Sequence, residues 1–399
     1  MTPRTVLWPR PFSWGTSTSA YQIEGGNENT DWSQFERAVG SGVAEPCGDA
    51  CDSWHRYEED LDLVATLGLD SYRFSLEWSR IEPREGAFDD TALAHYRNVL
   101  VACHERAITP IVTLHHFTLP IWVSDAGGFE GPRIVEWIGR YARRVGQELG
   151  DLIGVACTIN EPNIVAVMGY LLGVWPPAQT DWGRFSAVNT TMRACHVAMR
   201  EALAAGPGAF PIGFTLSMHE YEAVAGAEGV LAMTLDEMED RYLAAAAGDD
   251  FLGVQCYTKF LLGPEGMVDQ PEGEHTAMGY LFWPECVEYT VRRAAAATGL
   301  PIIVTENGIG TDDDDQRIRY LRGALGGVRR ALDDGLDVRG YFQWSLLDNF
   351  EWSYGYRPKF GIAAVDRTTF ARTLKPSATW YAAATREVAA GGHPDAPTT

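Results

Sequence analysis

Two glutamates each stand at the end of a short apolar run that has the composition of a buried strand. Glu161 closes the run Val155–Glu161 and precedes a proline, and Glu306 closes the run Pro301–Glu306 and precedes Asn307 and a glycine. Short runs of apolar and β-branched residues are typical of strands buried on both faces of a parallel sheet. Because α/β barrels carry their chemistry at the carboxyl ends of such strands, we expect the two carboxyl groups to converge on one bond.

A pair of carboxyl groups can cleave a glycosidic bond when one is protonated and the other is ionised. Their surroundings must therefore move their pKa values apart. Arg73 and Tyr257 are candidates to hold one carboxyl ionised, the first by its charge and the second by a hydrogen bond. The other carboxyl, next to Asn160, is expected to have its pKa raised by the like charge and by partial burial. A separation of about 5–5.5 Å would indicate a covalent intermediate and retention of configuration.

The two glutamates belong to a pattern in which short apolar strands alternate with amphipathic helices about every 50 residues. Eight such units in strict alternation predict a parallel sheet closed into a single (β/α)8 TIM barrel, of the α/β class. No Pro/Gly/Ser-rich linker divides the chain, so one catalytic domain is predicted over residues 1–399, with its core at about 12–388 and a mobile tail after 389. Strands are predicted at Phe12–Thr16, Ser71–Ser75, Thr109–Leu114, Gly154–Ile159, Pro211–Leu216, Phe251–Cys256, Pro301–Thr305 and Val338–Trp344. Helices are predicted at Arg56–Leu67, Asp89–Arg106, Pro132–Leu149, Arg184–Ala205, Leu235–Ala247, Glu285–Thr298, Gln316–Asp334 and Pro376–Val388.

Polar and aromatic side chains follow nearly all of the predicted strands, the fifth excepted. Planar polar groups bind sugar hydroxyls, and indole faces stack on the apolar faces of pyranose rings. The residues at this edge of the barrel therefore predict a site that recognises hydroxyl groups by hydrogen bonding. Besides the two glutamates, the set comprises Gln22, Arg73, Glu77, His116, Asn160, Tyr257, Trp344, Glu351 and Trp352.

Each of these residues also has a purely structural interpretation when it is taken alone. Glu161, which precedes a proline, could cap a helix. Arg73 and Glu77 could form an ion pair within the barrel, and His116 could be a neutral core histidine. Their succession at the same ends of successive strands favours the functional interpretation, because that rim is where barrel enzymes act.

The amino-acid composition limits which binding partners and which cellular compartment are expected. The formal net charge of −22 argues against nucleic acid and anionic membranes as partners, and no apolar run approaches the length of a membrane span. Residues 1–11 carry no apolar run long enough for a signal peptide. The seven cysteines are scattered, and the pair Cys47 and Cys51 alone is a weak metal signal, so a cytoplasmic chain with reduced thiols is expected.

From Phe12 to about Tyr381 the chain resembles glycoside hydrolase family 1, the β-glucosidase-like family of retaining barrels. The resemblance rests on five motifs: Phe12–Gly25, Tyr72–Arg80, Thr158–Pro162, Thr305–Gly308 and Trp344–Trp352. It implies that Glu161 is the catalytic acid/base, that Glu306 is the nucleophile, and that no metal or organic cofactor is needed. It further implies that Arg73 and Tyr257 tune the nucleophile, that Trp344 forms a platform beneath the glycone, and that the glycone is held by Gln22, His116, Asn160, Glu351 and Trp352.

Two departures from the family pattern lie beside these residues. Phe117 follows His116, where the family usually has a tryptophan, and this removes one indole donor near the glycone. Gln255 stands in place of an asparagine near the nucleophile. Both changes are compatible with an active member of the family.

Two further departures concern the loops. The loop Gly169–Pro177 contains Trp175 and two prolines, so an altered aglycone entrance is expected. The stretch between Tyr257 and Glu306 is compact, which favours a more open or blunter site on the aglycone side.

The predicted function is a retaining β-glycosidase that hydrolyses β-glucosides by double displacement through a glycosyl-enzyme intermediate. Its partner would be a small-molecule or oligosaccharide β-glycoside, and activity on β-galactosides and β-fucosides is expected as well. Glu351 favours an unphosphorylated sugar, because a carboxylate repels a phosphate. The alternatives are a transglycosidase that uses the same two glutamates, with Trp175 as the position to watch, and a catalytically silent sugar-binding relative. The oligomeric state stays open.

Overall fold

Eight parallel strands close into a barrel in the computed structural model, which describes residues 6–269, 272–392 and 394. The strands follow one another around the barrel in chain order, and β1 pairs with both β2 and β8 to close it. The bounds are β1 Ser13–Ser17, β2 Ser71–Ser75, β3 Thr109–His115, β4 Val155–Asn160, β5 Ile212–Ser217, β6 Phe251–Cys256, β7 Ile302–Asn307 and β8 Val338–Trp344.

A helix follows each strand and packs outside the barrel, which confirms the predicted (β/α)8 architecture. Most predicted bounds agree to within three residues, but the fifth helix begins at Glu228 instead of Leu235 and contains a π-helical turn. The helices are α1 Ser53–Thr66, α2 Asp90–Glu105, α3 Ile134–Leu149, α4 Trp182–Ala204, α5 (Glu228–Leu235, Asp236–Asp240 and Arg241–Ala245), α6 Cys286–Thr298, α7 Asp314–Asp333 and α8 Pro376–Ala389. The predicted mobile tail includes residues 393 and 395–399, which lie outside the described residues.

The apolar core has two parts, one between the sheet and the helices and one inside the barrel. The inner part consists of Ile111, Val155, Cys157, Phe251, Ile303 and Phe342. Trp8 packs edge-on against Phe251, with 6.3 Å between the ring centroids, at the amino end of β6. Polar side chains occupy the opposite, carboxyl end of the interior, so the apolar part fills the base on which they stand.

Shorter elements lie in the loops that follow the strands. The helical ones are Ala20–Ile23, Asp31–Arg37, Trp78–Ile81, Ile121–Asp125, Gly128–Glu130, Pro162–Ala166, Val167–Leu171 and Trp352–Tyr354. One small sheet joins Glu220–Ala223, Lys259–Gly263 and Gly266–Met267, and another pairs Ala363–Val365 with Arg372–Leu374. They enlarge the carboxyl end of the barrel into the walls of a cavity.

Other sequence expectations can be compared with this architecture. Asp313 caps α7, accepting hydrogen bonds from the backbone N–H groups of Asp315 and Gln316. All seven cysteines are free and buried. Within the described ranges no helix is long and apolar enough to cross a membrane.

Candidate active site

A buried ion pair joins two strands of the barrel that are not neighbours. Arg73 on β2 is fully buried, and its guanidinium donates to Glu306 Oε1 on β7 at 2.5 Å. Glu306 receives two further donors, Gln255 Nε2 on Oε1 at 2.7 Å and the Tyr257 hydroxyl on Oε2 at 2.6 Å. Both carboxylate oxygens are thus engaged, and the arrangement favours the ionised form.

Asn160, at the end of β4, connects this ion pair to the other glutamate. Its Oδ1 accepts hydrogen bonds from Arg73 at 2.6 Å, from Gln255 at 2.9 Å and from the Thr215 hydroxyl at 3.1 Å. Its Nδ2 faces His116 Nε2 at 3.3 Å. With both ends of the amide held, the backbone that leads into the next residue is fixed in position.

Glu161 follows at once, in a conformation that side chains rarely adopt. Its φ of +41° is left-handed, and it precedes Pro162, the first residue of the short helix Pro162–Ala166. Its side chain makes no capping hydrogen bond, so the helix-capping interpretation does not hold. The carboxyl group lines the central cavity instead, with a hydrogen bond to the Ser217 side chain.

Burial raises the pKa of both carboxyl groups, but the neighbouring side chains that lower it again differ between the two. Burial, and then the charge of Glu306, raise the pKa of Glu161 well above its usual range, and Ser217 and Arg73 only partly oppose this. Burial also raises the pKa of Glu306, but Arg73 and Tyr257 hold it down. Tyr257 stays a donor because burial raises the pKa of its own hydroxyl well above the usual value. In a singly protonated pair the proton therefore resides on Glu161.

A second polar group, Gln22 with Glu351, lines the same cavity. Gln22 is fully buried, accepts a hydrogen bond from Ser19 at 2.6 Å, and donates to the carbonyl of Phe350 at 2.6 Å and to Glu351 Oε2 at 3.4 Å. Burial, followed by the charge of Glu306, raises the pKa of Glu351 to about 8. At neutral pH this carboxyl carries a proton and can act as a donor as well as an acceptor.

Three ring systems line the cavity between these polar groups. His116 lies nearly parallel to Trp344, with centroids 6.0 Å apart, and to Trp352 at 6.3 Å. Burial, then Arg73, lowers the pKa of His116 well below its usual range, so the imidazole is neutral. Neutral rings that line a cavity suit the apolar faces of a sugar.

These residues face one cavity of about 680 Å³, a volume typical of a small-ligand site. Of the eleven residues that the sequence singles out, two do not line the cavity: Glu77, and Arg73, which lies behind the wall, buried among the carboxyl and amide groups. The other nine line the cavity: Gln22, His116, Asn160, Glu161, Tyr257, Glu306, Trp344, Glu351 and Trp352. Glu77 does not pair with Arg73 but accepts hydrogen bonds from Thr118 and from the backbone of Ser79.

Sequence reasoning missed the contribution of β5. Ser217 and His219 line the cavity, and the Ser217 hydroxyl lies 3.3 Å from His219 Nε2. Ser217 is the last residue of its strand, so the rule that located the other residues would also have found it. Tyr280 and Met278 also line the cavity, but they lie in an irregular stretch that carries no periodic signal.

The cavity can perform acid–base and nucleophilic chemistry with its own carboxyl groups. One buried carboxyl is set to hold a proton and the other to hold a charge, which is the division of roles that cleavage of an acetal requires. No group of three or more His, Cys, Asp or Glu side chains suited to a metal ion is found among residues 6–269, 272–392 and 394.

Comparison with known proteins gives a family match over nearly the whole chain. The model for glycosyl hydrolase family 1 matches residues 5–229 and 230–389. Beta-glucosidase A of Thermotoga maritima is 31% identical, over 94% of this chain and 96% of that protein. A bifunctional beta-D-glucosidase/beta-D-fucosidase of Bifidobacterium breve is 32% identical, over 94% of this chain and 98% of that protein.

Solved structures give the same result. The crystal structure of beta-glycosidase BGL167 superposes with a TM-score of 0.90 at 42% identity, covering 98% of this chain and 99% of that chain. A beta-glucosidase from Thermotoga maritima in complex with deoxynojirimycin superposes with a TM-score of 0.88 at 28% identity, covering 96% and 99%.

The raised pKa of Glu351 makes a prediction about stability. An acid with a folded-state pKa above its unfolded value stabilises the fold at low pH, and this contribution is lost as the pH rises through the folded-state pKa. Glu351→Gln stays neutral throughout. From about pH 5 to about pH 8.5 we therefore expect the free energy of unfolding of the variant to improve relative to wild type by the order of 2 kcal/mol, with allowance for solvent in the cavity.

Urea unfolding of both proteins at each pH, followed by tryptophan fluorescence, measures this difference. Glu265→Gln, which changes an exposed carboxylate, is the control and should show no such trend. A difference between Glu351→Gln and wild type that stays constant with pH would contradict the raised pKa.

Proposed function

The chain belongs to glycosyl hydrolase family 1, and from this premise we propose that it is a retaining β-glycosidase that hydrolyses β-glucosides. The observation that carries the proposal is the unequal environment of two carboxyl groups in one cavity. Glu306 is engaged by Arg73, Gln255 and Tyr257, whereas the donor to Glu161 is the Ser217 hydroxyl. We assign Glu306 as the nucleophile and Glu161 as the general acid and base.

In the first step, one carboxylate oxygen of Glu306 attacks the anomeric carbon of the glycone. Glu161 donates its proton to the glycosidic oxygen as the bond to the aglycone breaks, and the aglycone leaves as an alcohol. The glycone is then held as an ester of Glu306, and Glu161 is left ionised. Arg73 and Tyr257 keep Glu306 charged before the attack, so the nucleophile is ready when the substrate arrives.

In the second step, Glu161 takes a proton from a water molecule. The resulting oxygen nucleophile attacks the anomeric carbon and displaces the Glu306 carboxylate. Two inversions at one carbon give net retention of configuration. The products are a free sugar and a regenerated pair in which Glu161 is protonated and Glu306 is ionised.

We assign the glycone to the part of the cavity formed by Gln22, His116, Glu351, Trp352 and the Trp344 platform. Gln22 and Glu351 offer donors and acceptors to adjacent hydroxyl groups, and the rings offer apolar faces. The relative from Bifidobacterium breve acts on both β-glucosides and β-fucosides, as its name states. Activity on β-fucosides therefore forms part of the proposal, and activity on β-galactosides is proposed from the sequence resemblance alone.

We further propose that the whole chain acts as one catalytic domain in the cytoplasm on small-molecule or oligosaccharide β-glycosides. The continuous barrel supports the single domain, and the seven free, buried cysteines suit a reducing compartment. The acidic net charge suits a neutral substrate better than a polyanionic one.

Removing each carboxyl group in turn tests the assignment of roles. Glu161→Ala and Glu306→Ala should each lower kcat on an alkyl β-glucoside by about 10³-fold or more, because each removes a group that acts in the transition state. On an aryl β-glucoside whose phenolate leaves without a proton, azide should restore turnover in both variants, giving a β-glycosyl azide with Glu161→Ala and an α-glycosyl azide with Glu306→Ala. Product configuration is read by proton NMR. Ordinary turnover in either variant, or the reverse pairing of azide products, would overturn the assignment.

The Tyr257 hydroxyl should set the acidic limb of the pH profile. Tyr257→Phe removes a hydrogen bond that lowers the pKa of Glu306, so this pKa should rise. Less Glu306 is then ionised at low pH, and the acidic limb of kcat/KM should move upward by about half a pH unit or more. The measurement is kcat/KM on an aryl β-glucoside from pH 4 to pH 9. An unmoved acidic limb would show that the phenol does not tune the nucleophile.

The Ser217 hydroxyl should set the basic limb of the pH profile of kcat/KM. Ser217→Ala removes a hydrogen bond that lowers the pKa of Glu161, so this pKa should rise further. The acid then keeps its proton to higher pH, and the basic limb of kcat/KM should move upward while the acidic limb stays in place. Ser186→Ala, which changes a serine on α4 that is remote from the cavity lining, is the matched control. A shift of the acidic limb alone in Ser217→Ala would be inconsistent with this role.

A further inference from the structure

Trp175 lies in the wall of the cavity, beside rings that belong to the proposed glycone site. It is 7% exposed and lines the cavity with Phe117 and Trp352. Its ring centroid is 4.9 Å from that of Phe117 and 5.7 Å from that of Trp352, and Trp32 packs edge-on behind it at 5.2 Å. The effect of this loop on the aglycone entrance stays a prediction, and these contacts place Trp175 next to Trp352.

The loop that carries Trp175 is held firmly against the helical segment before it. The backbone N–H of Trp175 donates to the carbonyl of Met168, and its carbonyl accepts from Ala178. A Cβ added at Gly169 would lie 2.6 Å from the carbonyl oxygen of Pro176, so the two parts of the loop are in direct contact. The indole is therefore presented to the cavity by a fixed backbone.

The indole N–H of Trp175 has no acceptor within the described part of the chain. No hydrogen bond there engages it, and it is not among the fully buried atoms that lack a partner, so the N–H of this cavity-lining residue keeps some exposed surface. The three rings around it are two indoles and a phenyl group, which supply no oxygen or nitrogen acceptor. A tryptophan N–H in a largely buried setting normally finds a partner, and a hydroxyl group bound in the cavity can supply one here.

Phe117 explains why the donor at this place must come from Trp175. It follows His116 directly and has no polar atom, so the loop after β3 offers no side-chain donor at that position. Trp175 packs against Phe117 from a different loop, the one that follows β4. An indole beside a phenyl ring combines an apolar surface with a single directed N–H group.

We propose that Trp175 determines glycone specificity, its indole N–H donating a hydrogen bond to one sugar hydroxyl beside Trp352. The inference rests on the proposed function, because it concerns how the same cavity holds its glycone. This role differs from simple packing against Trp352, because packing needs the aromatic ring of Trp175 but not its N–H group.

Trp175→Phe keeps an aromatic ring and removes the donor. On an aryl β-glucoside we expect kcat/KM to fall about tenfold, the factor that corresponds to one hydrogen bond to substrate. The same two enzymes are then compared on aryl glucosides that each lack one hydroxyl group. For one of these analogues the difference between variant and wild type should disappear, because the hydroxyl that accepts from Trp175 is absent.

Two controls keep the result interpretable. Trp182→Phe changes a tryptophan that is 45% exposed and packs against Phe185, and it should match wild type on all substrates. Should Trp175→Phe fold poorly in a thermal melt, benzothienylalanine at position 175 keeps the shape of the indole and replaces only the N–H.

The outcomes distinguish this inference from the proposed function. If wild type fails to turn over the parent β-glucoside, the proposed function is wrong. If wild type is active but Trp175→Phe or the benzothienyl variant matches it, or loses the same factor on every deoxy analogue, Trp175 is a packing residue and the inference is overturned.

Discussion

The site depends on one buried ion pair, between Arg73 and Glu306, which spans the interior of the barrel. A guanidinium with no exposure to water must be balanced by a charge and by acceptors, or burying it becomes strongly unfavourable. Glu306 supplies the charge, and Asn160 supplies an acceptor. Ionisation of Glu306 is therefore a condition for a stable interior and not only for reactivity. A stable interior and the proposed reaction therefore require the same ionised state of Glu306.

The Arg73–Glu306 ion pair also helps to fix the position of the second glutamate, Glu161. Because Arg73 and Gln255 both donate to Asn160, the end of β4 cannot turn without breaking these bonds. The next residue, Glu161, can therefore be held at a φ of +41°, a conformation that is unfavourable by about 1–3 kcal/mol for a residue with a side chain. Phe117 and Trp352 also have positive φ, at +71° and +49°. Three of the eight described non-glycine residues with positive φ thus line the cavity, where the rigid barrel beneath can sustain their strain.

The sequence was enough to predict the barrel and most of the site, for a physical reason. Strands such as Thr109–His115 and Phe251–Cys256 are buried on both faces, so their apolar composition marks them, and the polar residue after each strand then marks the rim. The bounds of α5 were mispredicted because its first turns carry no buried residue and hence no apolar stripe. The contact of Trp175 with Phe117 joins two loops of irregular conformation, and no periodicity in the sequence encodes such a contact.

The charge of Glu306 changes the pKa of Glu161, and this change allows one cavity to serve both steps of the proposed reaction. After burial, the charge of Glu306 is the largest cause of the raised pKa of Glu161. Once Glu306 is esterified to the sugar, its charge is gone and this cause disappears. The pKa of Glu161 must then fall, because Arg73 stays nearby with its positive charge and no longer has a carboxylate partner. Glu161 is thus an acid when a leaving group needs a proton and ionised when water must lose one, so the ester bond itself changes the role of its neighbour.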